Sequence, residues 1–118
     1  MPKMRFIMTY EPWDIVLLPF PFTNLSASKK RPAIVISPKP YNSEQDVVVL
    51  FLTSKINVSP KVGDYKLKHW QSSNLPKPSM VRMKFATIDK DFILKKIGKM
   101  ENEDKSSIKG KMKDFFSL

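Results

Sequence analysis

Apolar residues in this chain come in short runs broken by prolines and polar stretches. Residues 14–18 (DIVLL) and 33–36 (AIVI) are aliphatic or β-branched runs punctuated by Pro19, Pro21 and Pro32, and they read as strands. Because the runs are continuous rather than alternating, both faces of each strand are expected to be covered, as in a small closed barrel or at a dimer interface. Pro38, Pro40, Asn42 and Ser43 break the chain before a third run at 47–52. Residues 55–78 are polar and hold Pro60, Gly63, Pro76 and Pro78. Only 65–67 looks strand-like there, so most of that stretch is expected to be loop.

The period changes in the second half. Residues 79–85, SMVRMKF, set Met80, Arg82 and Lys84 against Val81, Met83 and Phe85, the alternation of a half-buried strand with cations on one side. Residues 97–100 suggest a last short strand after a turn-like 88–94. A helix follows, with Asn102 as N-cap and with Glu103 and Asp104 at the positive end of its dipole. Ile108, Met112, Phe115 and Phe116 recur at i, i+4, i+7 and i+8, a stripe that should pack on the sheet. Gly110 inside it costs roughly 1 kcal/mol of helix propensity relative to alanine. The fold class is mainly β (α+β) with one C-terminal helix. A length of 118 residues suits a single domain, with 1–12 as a peripheral N-terminal extension.

Charge narrows the choice of partner. Lys and Arg number 21 against 11 Asp and Glu, a net charge of +10. The excess is concentrated, since residues 55–84 carry six Lys and one Arg against the single acid Asp64. A polyanion is the expected partner, although Lys-rich surfaces also serve solubility. A hydrophobic share of 42% argues against wholesale disorder. The chain has no cysteine, so disulfides, thiolate metal sites and Cys nucleophiles are excluded. No run approaches the roughly 18 apolar residues of a membrane span, and the N-terminal ten residues lack the apolar core of a signal peptide. A cytoplasmic protein with no membrane partner is expected.

The missing residues limit the chemistry further. Metal hydrolysis needs several His, Asp or Glu in ligand spacing, and the chain has one histidine, His69, with no such pattern around it. A Ser-His-Asp triad would have to recruit the same His69 from the irregular KLKHWQ stretch, with no nucleophile elbow nearby. His69 therefore reads as a surface or loop residue, and no metal or cofactor is expected. Cations and hydroxyls remain: Arg31 with Thr53, Ser54 and the loop 26–30. Such a set can stabilise a pentacovalent phosphate by charge and hydrogen bonds. The plain alternative makes Arg31 an exposed strand cation and Thr53 an ordinary β-former.

The blocks DIVLLPFPFT, KKRPAIVIS, LTS at 52–54, LPKPSMVRMKFATIDK and IGKM follow one another in this order. Together they resemble the successive blocks of the MazF/PemK toxin family, over about residues 13–100. Trp13 departs from the pattern, because members commonly have glycine before the aspartate of the first strand. Residues 55–74 match no block, which bears on substrate choice.

The resemblance implies a small SH3-like, CcdB/MazF-type β-barrel that forms a homodimer. It also implies a metal-independent endoribonuclease of single-stranded RNA, inhibited by a cognate antitoxin. In the family's pattern the Arg of the RP block and the Thr of the LTS block are the catalytic pair, which fall on Arg31 and Thr53. Around them, Ser26, Ser28, Lys29, Lys30 and Ser54 are expected to close on the phosphate, with Lys77, Arg82 and Lys84 extending the groove for the RNA backbone. Phe20, Phe22 and Trp70 are candidates for base stacking, although core burial is the better expectation for the two Phe residues. Two other functions stay open: a CcdB-like toxin that poisons gyrase without enzymatic activity, and a basic nucleic-acid-binding module.

Overall fold

Strands form where the aliphatic runs predict them, in a computed structural model that describes residues 8–20 and 29–118. They are β1 (Asp14–Phe20), β2 (Lys29–Val35), β3 (Asp46–Thr53), β4 (Tyr65–Lys66), β5 (Met80–Asp89) and β6 (Lys95–Lys99). One helical turn, α1 (Lys39–Asn42), precedes β3, and α2 (Asn102–Phe115) closes the chain. The strands pair antiparallel in the order β4-β5-β3-β2-β1-β6 and curl into a half-barrel.

Continuous aliphatic runs do bury both faces of the sheet. Alternation sends Ile15, Ile34, Leu50 and Leu52 to one core, which Ile108 and Met112 of α2 cover together with Leu67 and Leu75. Val16, Leu18, Ala33, Val35, Val47 and Val49 face the other core with Tyr10, Ile88 and Ile93. Tyr10 belongs to the segment expected to be peripheral, yet it is buried. Buried Asn42 ties that segment down, because its amide donates to the carbonyl oxygens of Tyr10 at 3.0 Å and Ser37 at 2.8 Å.

The last strand, expected at 97–100, is Lys95–Lys99, and three further expectations shift for a local reason. β2 starts at Lys29 rather than at Ala33, because β1 keeps pairing outward as far as Phe20 opposite Lys29. The cations therefore lie on the strand itself. β5 runs on to Asp89, since β3 offers partners as far as Asp46. Asn102 is the first helical residue and Glu101 the N-cap, with no side-chain cap bond.

Trp13 has a φ of +77°, the left-handed backbone that explains a glycine preference at this turn. That conformation costs a side-chain-bearing residue about 1–2 kcal/mol. Hydrogen bonds from Trp13 N to Val35 O at 2.6 Å and from Met100 N to Trp13 O at 2.9 Å fix the turn. Its indole packs on the core beneath α2, so apolar burial offsets the strain.

A buried carboxylate anchors α2. Asp104 is fully buried and accepts hydrogen bonds from Tyr65 Oη at 2.6 Å, Lys68 N at 2.9 Å and His69 N at 2.8 Å. Next to it, exposed Glu103 takes His69 Nε2 at 2.7 Å and Lys68 Nζ at 3.1 Å. The bond to Glu103 raises the His69 pKa, and the bond to His69 lowers that of Glu103. Trp70 packs half-buried against the same core. This indole is part of the scaffold, not an open stacking platform.

Two tests follow from α2. A Cβ at Gly110 would meet no atom within 4 Å, so Gly110→Ala should raise stability by about 0.5–1 kcal/mol in urea unfolding. His69 stabilises through its charged form, fully present below an unfolded pKa of about 6.5 and lost as pH rises through the raised folded value. Glu103 contributes above its ordinary pKa and loses that contribution as pH falls through its lowered folded value. The gap in Tm between wild type and His69→Gln should therefore be widest near pH 5–6 and close in alkaline buffer; a gap independent of pH would contradict the pairing.

Candidate active site

β2 and β3 part company at their outer ends, and the candidate site opens where they do. Their ladder pairs Ala33 with Phe51, Ile34 with Leu50 and Val35 with Val49. The same register carried two residues outward sets Arg31 across from Thr53, beyond the last recorded pair. Directly opposed residues of an antiparallel pair share a face, so both side chains project to the same side. β2 stays in the sheet there because β1 holds it, with Leu18 opposite Arg31.

Two crevices flank this pair and share Arg31, Leu52, Thr53 and Lys55 in their walls. One, of about 600 Å³, is cationic and adds Lys29, Lys30, Ser54, Lys77 and Ser79. The other, of about 560 Å³, is more apolar, with Phe20, Phe51, Val58 and Phe85 beside Arg82 and Lys84. The predicted residues Lys29, Lys30, Ser54, Lys77, Arg82 and Lys84 thus all come to the walls around Arg31 and Thr53. Ser26, Ser28 and Phe22 lie outside the described residues.

Arg31 is held by an aromatic ring. Its guanidinium carbon stands 4.5 Å from the centroid of Phe20, and Arg31 has no ion pair among the described residues. Stacking orients the planar guanidinium while leaving its N–H edge for an anion. Phe20 was expected in the core but is 36% exposed, because it serves as the platform for Arg31. The Thr53 hydroxyl oxygen accepts a hydrogen bond from Lys55 N at 3.1 Å. With its oxygen turned to the backbone in this way, its own hydrogen can be donated outward.

Arg82 is committed differently from its neighbours. Its Nε reaches Asp64 Oδ1 at 3.2 Å, and its Nη2 reaches Asp64 Oδ2 at 2.8 Å and Ser59 O at 3.2 Å. This bidentate bond holds the Asp64 carboxyl below the usual carboxylate range. Arg82 therefore straps the 55–64 segment to β5. Lys55 enters both crevices although no sequence pattern singled it out; its place directly after the LTS block was the available signal.

Among the described residues, no three His, Asp or Glu side chains are grouped as a metal site requires. Likewise, no described helix is long and apolar enough to cross a membrane. The half-barrel, its C-terminal helix and the cationic cleft define a small basic β-protein. A family model described as PemK-like, MazF-like toxin of type II toxin-antitoxin system matches residues 11–116, and the chain belongs to that family.

Solved structures agree on the fold. The chain is similar to Mycobacterium tuberculosis toxin MazF-mt6, with a TM-score of 0.68 and 17% identity over 89% of this chain and 97% of that one. It is also similar to an endoribonuclease in complex with its cognate antitoxin from a mycobacterial species, with a TM-score of 0.73 and 16% identity over 95% and 97% of the two chains. A third is MazE-MazF from Deinococcus radiodurans, with a TM-score of 0.73 and 15% identity over 95% and 99%. No curated protein sequence matches the chain significantly.

The cationic crevice predicts how binding responds to salt. Each phosphate neutralised on a single strand contributes about −0.7 to the slope of log K against log salt. Lys30→Ala and Lys77→Ala should each flatten that slope by about this amount for a single-stranded oligonucleotide, measured by fluorescence anisotropy. Lys109→Ala, which lies outside both crevices, should leave the slope unchanged.

Proposed function

We propose that this chain is a toxin endoribonuclease that cuts single-stranded RNA without a metal ion, with Arg31 and Thr53 as the catalytic pair. The observation that carries the reading is that a ring-stacked arginine with no ion pair among the described residues and a threonine whose hydroxyl oxygen accepts from Lys55 N together line two basic crevices, in a chain of the PemK/MazF family. The RNA's own 2′-hydroxyl attacks the adjacent phosphorus, and its proton passes to water. The bond from phosphorus to the 5′-oxygen breaks, and that oxygen takes a proton from water. The products are a 2′,3′-cyclic phosphate and a 5′-hydroxyl, which DNA cannot give because it lacks the nucleophile.

An arginine stays protonated far above neutrality and a threonine is a poor base, so the pair acts by charge and orientation, not by proton shuttling. Arg31 neutralises the charge that builds on the phosphate oxygens, and Thr53 donates a hydrogen bond to one of them. Lys29, Lys30, Ser54, Lys77 and Lys84 hold the flanking backbone, and the same reading gives Ser26 and Ser28 a share in closing the site. One of the similar structures is an endoribonuclease in complex with its cognate antitoxin; for this chain we infer an antitoxin whose acidic segment fills the basic crevices. Phe115, Phe116 and Leu118, exposed at the end of α2, offer apolar surface for a second copy in a homodimer. A cytoplasmic site of action goes with this reading.

The test is an incubation with end-labelled single-stranded RNA and the matching DNA, in EDTA, followed by end mapping. Cyclic-phosphate ends on RNA alone are expected, with turnover reduced roughly a hundred-fold or more in Arg31→Ala and in Thr53→Val while circular dichroism stays native. Intact RNA across diverse sequences, or full activity in both variants, would refute the reading.

A further inference from the structure

We propose that Lys55 is the general acid of the cleavage step, giving the leaving 5′-oxygen the proton that water would otherwise supply. This deepens the ribonuclease reading and rests on it. Expelling an alkoxide is slow unless it is protonated as it leaves, and a positioned proton donor contributes roughly 10²–10⁴-fold in rate. Arg31 cannot be that donor, because a guanidinium does not deprotonate in a protein. Thr53 is a still weaker acid and already binds the phosphate. Among the described residues, no carboxylate, histidine or tyrosine lines either crevice, and residues 21–28, which join β1 to β2, contain none. An ammonium is therefore the available proton donor. Lys29, Lys30 and Lys77 border one crevice and Lys84 the other, whereas Lys55 borders both.

Its place in the chain suits the role. Arg31, Leu52, Thr53 and Lys55 are the residues common to the two crevices, and Leu52 is buried and apolar. A strand that runs from one crevice into the other crosses this group, so the scissile bond lies beside Lys55. The backbone N of Lys55 donates to the Thr53 hydroxyl oxygen at 3.1 Å, which fixes the root of its side chain against the group that holds the phosphate. Lys55 is exposed, and its ammonium has no ion pair or hydrogen bond among the described residues. Asp64, the single acid within 55–84, is taken by Arg82. In the step, the 2′-oxygen bonds to phosphorus and its proton passes to water. The bond from phosphorus to the 5′-oxygen breaks, and that oxygen keeps the electron pair and takes a proton from Lys55 Nζ. The neutral amine then recovers a proton from the water that received the first one, so the net proton count is unchanged.

The experiment compares single-turnover cleavage of an all-ribose strand with that of a strand whose 5′-oxygen at the mapped cut is replaced by sulfur. A thiol ionises at about pH 8.5, so the sulfur departs as thiolate and needs no acid. Lys55→Arg keeps the charge but gives up no proton. It should cut the oxygen strand about a hundred-fold more slowly than wild type and the sulfur strand within a few-fold of wild type. Arg31→Ala should be slow on both strands, because charge builds on the phosphate whichever atom leaves. Recovery on sulfur also shows that the Lys55 variant is folded. Equal losses on the two strands would make Lys55 a phosphate-binding cation, and an unimpaired Lys55→Arg on the oxygen strand would leave it no part in proton transfer. Either result overturns the proposal and leaves the ribonuclease standing. No cut by wild type in any all-ribose strand would instead refute the ribonuclease reading itself, and this proposal with it.

Discussion

The register of β2 against β3 is the constraint on which the site depends. Ala33 opposite Phe51 fixes which residues of each strand share a face, and that parity carries outward to Arg31 and Thr53. A slip of β2 by one residue against β3 would turn the side chains of β2 over, so that Arg31 and Thr53 no longer shared a face. The cost of such a slip is set inside the sheet, where Ile34 and Leu50 face one core while Val35 and Val49 face the other. Two apolar cores on opposite faces therefore hold in place two polar residues that belong to neither. Phe20 completes the arrangement by stacking on the arginine that β1 brings beside it.

Acids do the structural work in the second half of the chain. Residues 55–75 contain little regular structure, and carboxylates hold them from two sides. Asp104 of α2 gathers the backbone of Lys68 and His69 with the Tyr65 hydroxyl, which brings Leu67 and Leu75 into the core. Asp64 takes the Arg82 guanidinium and holds the stretch before it against β5. A buried or half-buried carboxylate is stable only with such donors around it. The stretch therefore divides into scaffold after Tyr65 and crevice wall before it.

Much of this was legible in the sequence, for physical reasons. Aliphatic runs bounded by prolines located β1, β2 and β3, and the i, i+4 stripe located α2 with Ile108 as its buried residue. The KKRP and LTS blocks single out Arg31 and Thr53, the pair proposed here as catalytic, and both line the crevices. What could not be read depends on contacts distant along the chain. Arg82 and Lys84 look equivalent in an alternating strand, yet only Arg82 meets an acid 18 residues away. Nothing local distinguishes Asp104, a buried anchor, from Glu103, an exposed partner of His69, beyond helix phase. Phe20 read as core because exposure of a ring above a guanidinium is a tertiary fact. The turn at α1 was hidden by Pro38 and Pro40, which signal a break without saying what fills it.

The most direct measurement is a crystal structure of the protein with a single-stranded RNA carrying one 2′-deoxy residue at the mapped cut, which removes the nucleophile and preserves the strand. The account predicts that the phosphate following this residue lies within hydrogen-bonding distance of both the Arg31 guanidinium and the Thr53 hydroxyl. A strand bound with that phosphate touching neither residue would contradict it.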